Sequence, residues 1–434
     1  MIIRNSYDSS FLKRIPTTSH AEMLEFLRNG PEKISSPDRG LLESISRTLE
    51  SRTEKLSRTL ASETGNPFSY CREEIRAASN LVLNSETVRS INSLSTVHDL
   101  WGGFSSTDEF RGGSPAIIIN SSINPLYRFV ESVLASLFSG TPVVLKPSVR
   151  GSYTIHQLWK EISGDLDQVR VAFIPHRSKE FRTLLMRSDP VRILFSGGLQ
   201  ALGSISRVAS PGRITTSLNA SCHAIVWSDT DLDQAAKSVV SLALGGIRDM
   251  AFQPRRILVE SSVYDYFVNR VVEEASRIRW GDPEMASTDV PSLISRQAVK
   301  EFFNAVYDES GRWNRILSEP KIEENSSSPV IVGEEGNPGR LWNDLKYGPF
   351  LAIKPVEGIS KLTGAISSFG SGSSVIVFST DWSLISHIHR NSLGSLTIVN
   401  PPSHLSYRDI FSIQGNLTRQ VELLSQKRRL IHWR

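Results

Sequence analysis

Few side chains in this sequence could carry covalent or redox chemistry. There are two cysteines, Cys71 and Cys222, too few for a disulfide framework or a thiolate metal site. Cys222 stands next to His223, and a thiol beside an imidazole can be activated as a nucleophile. Neighbouring residues on a strand point to opposite faces, however, so these two side chains would not meet. Cys222 therefore reads as a small buried thiol on the strand leading into Ala224-Ile225-Val226. Gly197-Gly198 follows Phe195-Ser196, and a turn without side chains lets the backbone approach a pyrophosphate at a helix N-terminus. The same pair is also found in plain strand-to-helix turns. Arg248, Arg255 and Arg256 lie close together in sequence and could hold an anion. No metal-ligand pattern is present. The sequons at Asn120 and Asn219 have no meaning in a cytoplasmic protein.

The elements that would position these groups are legible from hydrophobic spacing. Leu42, Ile45, Leu49, Leu56 and Leu60 predict an amphipathic helix over 41–62, stopped by Thr64-Gly65-Asn66-Pro67. Ala116-Ile117-Ile118-Ile119 is a short apolar strand. A helix with Leu126, Phe129, Val130, Val133, Leu134, Leu137 and Phe138 on one face follows it. Gly140-Thr141-Pro142 then leads to a second strand, Val143-Val144-Leu145. This is a βαβ unit, and strands apolar on both faces predict a parallel sheet covered on both sides. Further strands are expected at 169–174, 193–196, 224–227, 256–259, 350–354 and 375–378. Helices are expected from Asp229 through Leu244, near 263–278 and near 296–306, and an exposed irregular connection at 308–328.

The fold class is α/β, with two doubly wound parallel-sheet domains and a short C-terminal strand. The expected boundaries are 1–215 for a Rossmann-like nucleotide-binding domain, 216–396 for a second, catalytic-type α/β domain, and 397–434 for a return segment ending in a strand. The chain has 434 residues and a net charge of +4, too small an excess to point to nucleic acid or a membrane. Lys427-Arg428-Arg429, with Arg434, reads as a solvated charge run. The N-terminus has no apolar signal core, so a soluble cytoplasmic protein is expected.

Several stretches resemble the aldehyde dehydrogenases, and they stand in that family's order. Glu63-Thr64-Gly65-Asn66-Pro67 is similar to the ETGKP-like turn, and Thr141-Pro142-Val143-Val144-Leu145-Lys146-Pro147-Ser148 to the strand and turn written NTVVLKPSE. Phe195-Ser196-Gly197-Gly198 resembles FTGS, and Asp229-Thr230-Asp231-Leu232-Asp233 resembles DADLD. Arg256-Ile257-Leu258-Val259 resembles RIFV, Pro291-Ser292-Leu293-Ile294 resembles GPLI, and Tyr347-Gly348-Pro349 resembles FGP. The stretches beginning at Gly372 and Gly394 echo GLSASVF and GTVWVN. The resemblance runs from about residue 40 to the C-terminus. It implies an NAD(P)-dependent oxidoreductase fold, with Lys146 and Ser148 at the adenosine ribose and Gly197 and Gly198 at the pyrophosphate.

The same resemblance shows what has changed. Oxidising an aldehyde through a thioester needs a thiolate nucleophile. The family's cysteine falls at Ala251, its general base at Ser217, and its oxyanion-binding asparagine at Ile123, with Asn124 one place later. The acidic residue that holds the nicotinamide ribose falls at Leu345, beside Asp344, and the glutamate after the lysine-proline-serine turn is Val149. A cysteine-to-alanine replacement alone would account for Ala251 but not for the others. A non-catalytic relative, a scaffold or regulatory subunit that keeps NAD or NADP, is therefore expected. The alternative is an active oxidoreductase using non-standard residues on aldehydes or acyl thioesters. Arg429-Leu430-Ile431-His432-Trp433 reads as a strand that in the family joins a neighbouring subunit, so a homodimer or larger homo-oligomer is expected. The segment 98–114, which would supply its companion hairpin, is shorter than usual in the family and leaves the oligomer's size open.

Overall fold

The computed structural model describes residues 1–35, 37–85, 96–100, 104–218, 222–245, 252–307, 315–316, 318–333, 348–367, 374–392, 396–403 and 416–433. It opens with an antiparallel hairpin, β1 (Ile2–Arg4) and β2 (Phe11–Arg14), and the helix His20–Asn29, none of which hydrophobic spacing announced. The helix expected over 41–62 is two, Arg39–Ser51 and Thr53–Thr64, hinged at Arg52. The physical reason is local: Ser51 and Thr53 donate their hydroxyls to the carbonyls of Thr48 and Leu49 at 3.3 and 2.9 Å, giving the backbone an alternative to a continuous helix. The second helix ends as expected at Gly65, in the left-handed region with φ 72°, its N–H bonded to the Ala61 carbonyl.

A second hairpin, β3 (Thr96–Leu100) and β4 (Phe104–Arg111), precedes a five-stranded parallel sheet. Its strands are β5 (Ala116–Ile119), β6 (Val143–Lys146), β7 (Val169–Val171), β8 (Arg192–Gly197) and β9 (Ile214–Leu218), in the order β7-β6-β5-β8-β9. The chain winds outward from β5 through β6 to β7, then returns to the other side of β5 for β8 and β9. Such a reversal opens a crevice beyond the carboxyl ends of β5 and β8, where doubly wound sheets hold ligands.

The second sheet has seven strands. They are β10 (Cys222–Val226), β11 (Pro254–Glu260), β12 (Arg315–Ile316), β15 (Val330–Gly333), β16 (Phe350–Val356), β17 (Ser374–Phe378) and β18 (Leu396–Val399). A small hairpin, β13 (Ile322–Glu323) and β14 (Ser326–Ser327), lies between β12 and β15 in sequence. The sheet order is β12-β15-β16-β11-β10-β17-β18, parallel except for β12. Two expected boundaries need moving. The one at 215/216 falls inside β9, whose residues pair with β8, and the one at 396/397 falls inside β18, which pairs with β17. Nor is 308–328 wholly an exposed connection, because Asn325, Ser326 and Ser327 are buried. Asn325 Nδ2 donates to the Ser6 carbonyl at 2.8 Å and its N–H to the Tyr7 carbonyl, tying the N-terminal hairpin to the second half. The C-terminal strand β19 (Gln426–Trp433) pairs antiparallel with β4 of its own chain along its whole length.

The helix Pro125–Ser139 is the pivot of the first half. Thirteen of its fifteen residues are buried, with other helices packed on it, Phe68–Asn84 and Asn416–Leu424 among them.

Candidate functional site

A cleft of about 570 Å³ lies beyond the carboxyl ends of β5, β6 and β8, within the range of small-molecule and cofactor sites. The first half contributes Ile119–Ile123, Lys146, Ser148–Arg150, His176 and Phe195–Gly198. The second half closes it with Gln253, Arg255, Val290–Ile294, Phe302 and Gly348.

Lys146 ends β6 and is 2% exposed. Its Nζ donates to the Pro147 carbonyl at 3.0 Å and lies 5.3 Å from the centre of the Phe181 ring. Burial pushes its ammonium down to about 8. Ser148 follows in the turn, its Oγ accepting from the Arg150 N–H at 3.3 Å. Val149 lines the same wall and packs against the first hydrophobic core. Gly197 ends β8, and a β-carbon there would sit 2.7 Å from the Phe195 ring. Gly198 caps the helix Leu199–Ser206, and a β-carbon there would meet nothing within 4 Å. The sequence therefore keeps Gly197 for packing, whereas the space beside Gly198 is open to a ligand.

The helices after β5 and β6 have their N-termini capped from a distance. Asn124 at the head of Pro125–Ser139 and Gly151 at the head of Ser152–Ile162 make no side-chain cap. Two glutamates from other helices do so instead. Glu74 accepts from the N–H groups of Leu126 and Tyr127 at 2.8 and 3.1 Å. Glu63 accepts from those of Tyr153 and Thr154 at 2.7 and 2.8 Å, and from the Thr154 hydroxyl at 2.6 Å. Burial pushes each carboxyl up to about 7 against these hydrogen bonds. The helix after β8 has no side-chain cap, and its first turn faces the cleft. Sequence reading missed both glutamates and His176. The only available signal was the weak capping chemistry of Asn-Pro and Gly-Ser at the two helix starts.

The family's chemical positions fare unevenly. Ile123 lines the cleft, whereas Asn124 does not. Asn124 is fully buried, with φ 49°, and is not part of the cleft wall. Ser217 sits on β9 opposite Ser196, solvent-exposed and outside the cleft. Ala251, Asp344, Leu345, Asn219 and Arg248 lie outside the described residues. Cys222 and His223 are 2% and 5% exposed in the second sheet. Burial, and then Arg256, hold the His223 imidazole down at about 3. Cys71 is buried in the first core and donates to the Asn66 carbonyl at 3.6 Å. Arg255 reaches the cleft, donating to the Gly348 carbonyl and to Gln253 Oε1, while Arg256 is buried within β11.

The profile of the aldehyde dehydrogenase family matches residues 32–412. The chain belongs to that family. An aldehyde-dehydrogenase-like protein of Sinorhizobium fredii is 25% identical over 373 residues, covering 83% of this chain and 72% of its own. Among solved structures, the glyceraldehyde-3-phosphate dehydrogenase of Methanocaldococcus jannaschii complexed with NADP superposes with a TM-score of 0.83 at 18% identity, covering 100% of this chain and 99% of its own. An NAD-dependent benzaldehyde dehydrogenase of Corynebacterium glutamicum gives 0.84 at 17% identity, covering 99% and 94%. These likenesses establish the α/β fold. Within this aldehyde dehydrogenase frame, a dinucleotide meets a partial match. The open space at Gly198, before an uncapped helix start, suits a pyrophosphate, and Lys146 and Ser148 suit ribose hydroxyls. Val149, however, offers no acceptor. No helix among the described residues is long and apolar enough to cross a membrane.

Proposed function

We propose that this chain is a non-catalytic aldehyde dehydrogenase homologue that holds NAD or NADP and serves as a scaffold or regulatory subunit. One observation carries the reading. Both of its cysteines are packed in hydrophobic cores, so no thiol of the chain reaches the cleft. The exposed Ser217 on β9 adds no base to the cleft, and a serine hydroxyl is no substitute for a carboxylate at neutral pH. A bound dinucleotide would supply a hydride acceptor. The residues that would hold it are Gly197 and Gly198 at the pyrophosphate and Lys146 and Ser148 at the adenosine ribose. With Val149 in place of a carboxylate, a 2′-phosphate would meet no like charge from that residue, so NADP is accommodated at least as well as NAD.

Self-association as a homodimer or larger homo-oligomer is part of the proposal. Two sheet edges support it. The edge strand β18 leaves Leu396, Thr397, Ile398 and Val399 all half-exposed, and β19 forms the edge of its three-stranded sheet. The test is calorimetry of the purified protein with NAD and NADP, followed by an assay of the same sample with a panel of aldehydes. Saturable binding without turnover is the expected result. Turnover would overturn the non-catalytic reading, and absence of binding would remove the nucleotide from it.

A further inference from the structure

The two walls of the cleft hang on one short loop of the N-terminal hairpin, Asn5–Ser10. On the first wall, Ser6 donates its N–H to the Ser62 carbonyl at 2.7 Å and its hydroxyl to the Glu63 carbonyl at 2.6 Å. The carboxyl of that same Glu63 accepts from Tyr153 and Thr154, at the helix start that follows Ser148–Arg150 of the wall. On the second wall, Asn325 Nδ2 donates to the Ser6 carbonyl at 2.8 Å and to Ser9 Oγ at 3.2 Å. The Asn325 carbonyl in turn accepts from the N–H of Leu293, a wall residue, at 2.6 Å. Glu284 Oε1 adds a second tie, accepting from Asn5 at 3.2 Å and from Ser62 at 2.6 Å. Ser6, Glu63 and Asn325 are 6%, 1% and 0% exposed, so a bond lost here leaves a buried polar group unpaired.

Both sides of this junction carry backbone strain. Ser9 and Glu324, the residue before Asn325, hold φ at 67° and 49°, a region unfavourable to side chains of their kind. Asn325 Oδ1 is buried without a hydrogen-bond partner. Strained turns and an orphaned acceptor persist only where their surroundings hold them, and they favour release. We propose that Asn5–Ser10 is a strap that couples the two walls, so that they open and close as one unit. Release at Asn325 frees the Ser6 carbonyl, lets Ser6 leave Glu63, and loosens the helix start that Glu63 caps. Release at Ser6 travels the other way, to Asn325 and Leu293. The coupling acts whatever occupies the cleft, and a ligand touching both walls favours the closed state.

The experiment is amide hydrogen exchange of the full chain without ligand, read by peptide mass spectrometry on the unaltered protein, N325A and S6A. N325A should speed exchange of the peptide holding Tyr153 and Thr154 by about tenfold, the effect of losing one buried hydrogen bond, although both amides bond to Glu63 and not to Asn325. S6A should do the same to the peptide holding Leu293 on the opposite wall, because coupling between two sites is reciprocal. Peptides of β5 and β11 should keep their rates in both variants. Faster exchange confined to the altered wall would overturn the proposal. So would faster exchange in β5 and β11 as well, which marks a general loss of stability. If N325A does not fold, S6A, which removes a single hydroxyl, decides the matter by itself.

Discussion

Glu63 and Glu74 are 1% and 0% exposed, and each supplies from a distance the cap that a helix start lacks. Their carboxyls, pushed up to about 7, hold a proton in the folded protein over a range where an unfolded glutamate has lost it. The folded state therefore binds more protons between the ordinary value of 4.5 and about 7. Their contribution is fully present below the lower limit and is lost as pH rises through the upper one. Urea denaturation should thus show stability falling from pH 5 toward pH 8, by about 1.4 kcal/mol for each unit by which a carboxyl is raised. In the E63Q variant that slope should flatten. A slope unchanged in E63Q would show that other groups set it. At the ligand end, K146M should weaken NADP binding in calorimetry by about tenfold or more, the loss expected for one charge-assisted hydrogen bond. Equal affinity in both proteins would take Lys146 out of the nucleotide site.

Among the elements, the helix Pro125–Ser139 is the buried centre of the first half, and the turn at Gly65 packs on Ser292 of the cleft wall. Leu134 is fully buried in the core of that helix, and L134A should cost about 2–5 kcal/mol in chemical denaturation, the range for a cavity at such a site. Gly65 adopts φ 72°, and an added β-carbon would sit 2.1 Å from Ser292 Oγ on the cleft wall. G65A should therefore destabilise by about 1–3 kcal/mol or more, combining backbone strain with a clash. Full stability of G65A would mean that the contact with Ser292 is readily relaxed. The βαβ unit over 116–146 was legible because its strands and helix are continuous apolar runs. The break at Arg52 was not, since hydroxyl-to-carbonyl bonds leave hydrophobic spacing intact. Strand β9 was also missed, because its exposed Thr215, Thr216 and Ser217 carry no apolar pattern.

At the scale of the whole molecule, β19 pairs with β4 of its own chain as the edge of its sheet, and the half-exposed edge strand β18 offers a second place for self-association. Sedimentation at micromolar concentration should give a dimer or larger species. A monomer would remove self-association from the proposal.

The order of apolar runs, turns and family-like stretches was enough, in sequence alone, to determine an α/β chain of aldehyde dehydrogenase type. Those signals are local, carried by spacing and residue type within a few turns or strands. Only the tertiary structure decided that Asn124 is buried away from the cleft, that Ser217 is exposed, and that Lys146 is buried with no carboxylate among its described neighbours. It also decided that Glu63 and Glu74 cap helices 91 and 52 residues away. Burial and capping at that range depend on which elements pack together, and the spacing of residues along one chain does not encode it.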